Sequence, residues 1–453
     1  MAIVQRLMIA GTVTILFMFS SGSVAGQAPS APQSQPIPVS SSASSRISSR
    51  VEPHSEQAYS LPPDKLAQAV ALNKIRVTLD IAGSLWSLLV LFWLLASGTA
   101  TRLDAWTAER LKRRWVQGLA FFAILIVFLS AAGLPVDAIG HAASLRYGIS
   151  VQSWASWFGD QGKGMAVSLV MGVPIALFFN WIVRKSPLRY WVWLWVISLP
   201  LIVLSVFVAP LIIDPLFNKF EPLGKTHPVL VTRLEALVAR TGTSVPPERM
   251  FLMKASEKSN GINAYVTGIG SSKRFVMWDT TTDRMPDDEI VFIFGHESGH
   301  YVLNHIPKML AGMMGGLFFV FWGSAKLAQA IVRRFGERWK VVGVGSRAGF
   351  LTLFFALSIA GFVLTPVGNT FSRHFEHEAD VYGQEAIHGL VADPQKTAVS
   401  SFNHLGEAWL DDPNPNAFVE FWSYSHPSVQ NRAKFAEQYN PWVNGGHGKF
   451  LEK

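Results

Sequence analysis

Six long, nearly charge-free apolar runs constrain this chain more than anything else in it. They cover about 77–97, 115–133, 165–183, 190–212, 308–330 and 348–368. Each is close to the ~20 residues a helix needs to cross a bilayer. One run alone reads equally well as a buried core helix. Six runs, several flanked by Arg and Trp, predict a mainly α fold, a multi-pass bundle of membrane helices. The chain has 453 residues, 49% of them apolar, and 16 Trp, which is enough for more than one domain.

Loop charge predicts which way the runs thread. The loop after the first run holds Arg102, Arg110, Lys112, Arg113 and Arg114. The turn between the third and fourth holds Arg184, Lys185 and Arg189, and the loop between the fifth and sixth holds Arg333, Arg334, Arg338, Lys340 and Arg347. The positive-inside rule assigns all three to the cytoplasm. The opposite loop, 134–164, carries only Arg146 and Lys163 as Lys or Arg. The polar segments 214–306 and 370–453 are then extracytoplasmic. The net charge of +8 comes largely from the basic loops, which suits anionic lipid headgroups and not nucleic acid.

The first 58 residues read differently. Leu7 to Ser20 is apolar, follows Arg6, and leads to Ser23-Val24-Ala25 before Gly26. This is the pattern of a signal peptide over 1–25, with an uncleaved anchor as the alternative. Residues 26–58 are rich in Ser, Pro and Gln and read as a linker. Cysteine is absent, so there is no disulfide framework.

Chemistry concentrates in His296-Glu297-Ser298-Gly299-His300, an H-E-x-x-H pentapeptide directly after Glu289 to Gly295. On a helix, positions four apart share a face, so both imidazoles can reach one Zn²⁺. The carboxylate between them can take a proton from water, which makes Glu297 the candidate general base. Such sites have a third protein ligand. His305, nine residues after His296, is about 900° round a continuous helix and falls on the opposite face. The longer zinc motif of the metzincins would need Gly and His where this chain has Leu303 and Ile306. The better segment is Arg373-His374-Phe375-Glu376-His377-Glu378-Ala379-Asp380. Glu376 and Asp380 are one turn apart, so one can bind metal while the other orients a ligand histidine. On spacing alone, Glu378, His374 and His377 remain alternatives to Glu376 as ligand.

His296–His300 followed by Arg373-x-x-Glu376-x-x-Ala379-Asp380 resembles the integral-membrane zinc metalloproteases typified by the type I CAAX prenyl endopeptidases. Asn263-Ala264-Tyr265, the Ala209–Phe220 segment, and Ser425-His426-Pro427-Ser428 with Arg432 resemble other motifs of that family. The likeness runs over about 59–436. It implies a zincin-type peptidase domain holding one Zn²⁺ per chain through His296, His300 and Glu376. It also implies Asp380 as an orienting residue or proton donor, and His426 and Arg432 as candidate donors to the oxyanion.

Organisation follows from these readings. A membrane domain of four helices covers 59–222. A peptidase domain covers 223–436, interrupted by two spans, and a tail covers 437–453. Within the peptidase part, 226–242 reads as an amphipathic helix ending near Gly242. Arg249 to Met253, Asn263 to Thr267 and Lys273 to Trp278 read as short strands. A helix over 287–305, capped at or near Asp287, carries the zinc motif. The resemblance implies that Asn263, Ala264 and Tyr265 line a sheet edge to which a peptide substrate adds as a strand. The expected partners are a peptide or protein and the lipid bilayer, with a bacterial inner membrane as the expected location. A transporter or scaffold without chemistry, and a zinc hydrolase acting on something other than peptides, are the competing readings.

Overall fold

The computed structural model describes residues 58–243, 245–268 and 273–451. The expected signal or anchor, and all of the linker except residue 58, lie outside them. Helices dominate: α1 (Pro63–Ala96), α2 (Thr99–Arg110), α3 (Arg114–Arg146), α4 (Trp154–Lys185, with a π turn at Ser168–Gly172) and α5 (Tyr190–Val208). After a first strand come α6 (Pro228–Thr241), α7 (Asp287–Val302), α8 (His305–Trp339) and α9 (Arg347–Ala386). The chain closes with α10 (Pro394–Trp409), α11 (Ala417–Ser423) and α12 (Val429–Gln438).

Five described helices are long and apolar enough to cross a membrane: α1, α3, α4, α8 and α9. Tyr190–Val206 with its bent continuation Ala209–Phe217 makes a sixth. All six predicted runs fall within these elements. Large apolar side chains such as Trp86, Trp93, Trp193, Phe319 and Trp322 are exposed on these helices, an apolar surface of the kind that marks a membrane contact. Leu91, Phe121, Phe179, Leu194, Phe321 and Leu353 fill its inside.

A separate core holds the polar half together, built from Leu234, Met250, Phe275, Phe294, Tyr382 and Phe402 among others. Tyr59 belongs to it: its ring is buried against Gly406 and its N–H donates to Gln430 Oε1 at 2.7 Å. Beside this core lies a four-stranded mixed sheet of β1 (Phe220–Pro222), β2 (Met250–Met253), β3 (Ala264–Thr267) and β4 (Arg274–Trp278), in the order β1-β2-β4-β3. β2 and β4 are parallel; β1 and β3 run antiparallel to their neighbours. β3 is therefore an edge strand.

The basic loops meet at one end of the bundle. Thr101 Oγ1 donates to Trp339 O (3.1 Å), Arg347 pairs with Asp104 and donates to Gln117 Oε1, and Asn180 Nδ2 reaches Gly345 O (3.5 Å). At the other end the α3–α4 loop docks on the peptidase half. Val151 N–H donates to Lys258 O (3.3 Å), and Lys258 pairs with Asp160.

One expectation for the zinc-motif helix needs correcting. It stops at Val302, and Asn304, at φ 56°, turns the chain before α8 starts at His305. Its N-cap residue is Pro286, next to Asp287, and Asp287, Asp288 and Glu289 occupy the first turn. Their charge there faces the positive end of the helix dipole.

Candidate active site

α7 and α9 cross so closely that side chains larger than hydrogen would separate them. A Cβ on Gly383 would lie 2.9 Å from the His296 backbone nitrogen, and one on Gly299 would lie 3.0 Å from Tyr382. Gly295 faces Gly383 and Ala386 in the same way. α7 is held from its other sides by aromatic pairs. Phe294 meets Phe275 of β4 edge-on, with centroids 4.7 Å apart, and Phe292 meets Phe402 of α10 at 5.3 Å.

This crossing brings His296, His300 and Glu376 together. Among the described residues they are the one cluster of His, Cys, Asp or Glu spaced to share a metal ion. His296 Nε2 lies 3.2 Å from His300 Nε2 and 3.3 Å from Glu376 Oε2; His300 Nε2 lies 3.8 Å from Glu376 Oε1. Zinc bonds of ~2.0–2.1 Å set tetrahedrally give ligand–ligand edges of roughly 3.3 Å. All three residues are buried, and neither Glu376 oxygen accepts a hydrogen bond from a described residue. A buried carboxylate without donors is costly unless a cation meets it, so the donor set fits zinc.

A second layer orients the first. His296 Nδ1 is 2.8 Å from Asp380 Oδ1. Arg432 grips Asp380 with a fork, Nε to Oδ2 at 2.9 Å and Nη2 to Oδ1 at 2.5 Å. Burial pushes the His296 imidazole down, but Asp380 and Glu376 outweigh it and hold it up at about 9. That is the balance for a proton; a divalent cation competes for the same Nε2 lone pair. Burial drives His300 well below its ordinary range, against the pull of Glu376. Burial also works against the Arg432 charge, and Asp380 restores it.

His426 Nε2 stands 3.3 Å from Glu376 Oε2, its side chain 32% exposed, with Ser425 Oγ 3.0 Å from its Nδ1. Burial pushes His426 down to about 4, with Glu376 opposing and Arg432 adding to it. α9 fixes the backbone that carries it. Asn369 Nδ2 donates to Trp422 O and Ser372 Oγ to Ser425 O, both at 2.6 Å. Arg373 Nη1 donates to Glu420 O (2.9 Å) and Tyr424 O (2.6 Å).

Glu297 projects to the sheet, where its Oε2 accepts the Val266 N–H of edge strand β3 at 3.3 Å. Ala264 and Val266 belong to the core that includes α7, while Tyr265 faces the opposite side with Met253, Val276 and Trp278. Asn263 uses its backbone internally, N–H to Thr281 Oγ1 (2.9 Å) and C=O from Trp278 N–H (3.0 Å). Val266 is absent from the sequence-derived candidates, although strand alternation from Ala264 points to it. Glu378, an alternative ligand on spacing, instead pairs with His305 Nε2 at 3.1 Å. His305 itself lies beside His300, Nδ1 to Nδ1 at 3.1 Å.

Comparison with known proteins agrees with this geometry. Residues 241–440 match Peptidase family M48, and residues 46–219 match "CAAX prenyl protease N-terminal, five membrane helices". An "uncharacterized metalloprotease YhfN" of Bacillus subtilis (strain 168) is 32% identical over 383 residues, covering 84% of this chain and 88% of its own. The chain belongs to peptidase family M48. Another relative, "CAAX prenyl protease 1" of Saccharomyces cerevisiae, is 27% identical over 336 residues, 70% of this chain and 71% of its own. The crystal structure of S. mikatae Ste24p shares the fold, with a TM-score of 0.71 at 22% identity over 83% of this chain and 89% of that one. This member of the family is a multi-pass membrane protein and a metalloendopeptidase.

Proposed function

We propose that His296, His300 and Glu376 hold one Zn²⁺ and that the enzyme cleaves peptides on the extracytoplasmic side of a bacterial inner membrane. The observation that carries the metal site is the set of three buried donors at 3.2, 3.3 and 3.8 Å. When bound, zinc supplies Lewis-acid chemistry, acidifying a water and polarising the scissile carbonyl. Glu297 takes the proton of the attacking water and passes it to the leaving amine. Asp380, held by Arg432, keeps the His296 ring in place with its Nε2 free to ligate. His426 is the donor best placed for the oxyanion, because the Arg432 fork is engaged by Asp380. The substrate backbone adds along the edge of β3 at Ala264, next to the Val266 N–H that Glu297 accepts.

The relatives named as CAAX prenyl proteases favour a second substrate class, prenylated cytoplasmic tails. Orientation separates the two. The basic loops gather at the end of the bundle away from the peptidase half, which supports envelope peptides as the substrate pool. The Glu297→Gln protein tests the reading: it should bind zinc normally and lose roughly 10²–10⁴-fold in turnover of a fluorogenic peptide. The same variant should retain envelope peptides identifiable by mass spectrometry. Near-normal cleavage would remove Glu297 as base; capture of cytoplasmic tails alone would replace the substrate class.

A further inference from the structure

His305 would be far from the metal if α7 continued through it. The turn at Asn304 instead returns the chain, so that the first residue of α8 packs against the last histidine of the zinc motif. His305 is fully buried. Its ring meets His300 at near right angles, with centroids 5.2 Å apart, and Phe375 of α9 covers it at 4.8 Å. Nδ1 lies 3.1 Å from His300 Nδ1, and Nε2 lies 3.1 Å from Glu378 Oε2.

We propose that His305 and Glu378 are positioning residues, an outer relay that fixes the ring and tautomer of His300. The proposal rests on the reading of His300 as a zinc ligand. Only one proton arrangement satisfies every atom with neutral rings. If His300 Nε2 gives its lone pair to the metal, its Nδ1 carries hydrogen and donates to His305 Nδ1. His305 Nε2 then carries hydrogen and donates to the Glu378 carboxylate, an acceptor only. Each zinc histidine thus ends on a carboxylate of α9: His296 on Asp380 directly, and His300 on Glu378 through His305. Partners of this kind fix ring orientation and raise ligand basicity, and their loss costs about 10–100-fold in metal affinity. The relay also explains two acidic residues in one short segment: Glu376 and Glu378 point about 200° apart on α9, one to the metal and one behind it.

The test compares purified full-length His305→Phe, Glu378→Ala and Glu378→Gln proteins with the parent. Phe keeps the ring volume but accepts no hydrogen; Gln keeps an acceptor oxygen without the charge. Release of zinc to a chelator should be about 10–100-fold faster in His305→Phe and Glu378→Ala, and intermediate in Glu378→Gln. The visible spectrum of the Co²⁺-loaded protein, which reports ligand field, should shift in the first two. Thermal unfolding of the metal-stripped proteins separates a folding defect from a ligand effect. Parental release rates and Co²⁺ spectra in both His305→Phe and Glu378→Ala overturn the relay. Loss of metal in His305→Phe that neither Glu378 variant shares also overturns it, reducing His305 to packing. The Glu376→Ala protein monitors the underlying reading: if it keeps full zinc, the ligand set is wrong and the relay falls with it. If it loses zinc while the relay variants behave as the parent, only the relay fails.

Discussion

At the scale of single residues the site consists of buried groups that are costly apart and compatible together. Asp380 is buried and serves two partners, the His296 ring and the Arg432 fork. Asp380→Asn keeps the shape but weakens the acceptor that holds the His296 N–H. We expect zinc affinity to fall about 10–100-fold and kcat to fall further when zinc is saturating; unchanged kinetics at saturating zinc would make Asp380 a bystander. His296, Glu297 and His300 were legible in the sequence because the i, i+4 spacing of their motif is itself the chemistry. Choosing Glu376 over Glu378 is not legible from spacing, since both lie within one turn of helix. Family likeness points to Glu376, and the close approach of α7 and α9 sets Glu376 beside His296 and Glu378 beside His305. His305 is outside the metal cluster, as its spacing indicates, but it lies beside His300 and not on the opposite face, because the helix ends before Asn304, a residue type that tolerates positive φ.

At the scale of elements, the site depends on how closely α9 approaches α7 and on how it grips the segment before α12. Gly383→Ala would set a methyl 2.9 Å from the His296 nitrogen. The expected cost is about 1–3 kcal/mol, read as a lowered midpoint of thermal unfolding together with weaker zinc retention; a stability equal to the parent would show that the helices can part freely. Arg373→Ala removes the donors to Glu420 O and Tyr424 O. Zinc content should stay full while kcat drops by roughly tenfold, less than the ~10²-fold or more of removing an oxyanion donor outright. Equal losses in Arg373→Ala and His426→Ala would mean that the cradle is the whole of the effect. Element types were readable from periodicity, including the three predicted strands and the helix ending at Gly242, whose φ is 66°. The long-range contacts were not. Nothing local in Asn369, Ser372 or Arg373 announces that they bind carbonyls some fifty residues downstream.

At the scale of the whole molecule, long helices make span and site one object. α9 has 40 residues, about 60 Å at 1.5 Å per residue. That is about twice the ~30 Å hydrocarbon core. Its apolar run ends near residue 368, so Glu376 lies roughly 12 Å further along the axis, just beyond the lipid. α7 hands over to α8 at His305, only three residues before the apolar run that begins near 308. The site therefore stands at one membrane boundary, opposite the end where residues 101–117 and 339–347 meet. Those loops carry most of the net positive charge, and basic loops resist translocation. We expect a reporter fused after Lys453 to be active only as an extracytoplasmic marker and one inserted near Arg338 only as a cytoplasmic marker. The two must disagree, because α9 alone separates the second basic end from the C-terminal half. A cytoplasmic signal at Lys453 would invert the molecule, bring prenylated tails within reach of Glu297, and make them the favoured substrates. An extracytoplasmic one leaves envelope peptides as the pool that β3 can capture.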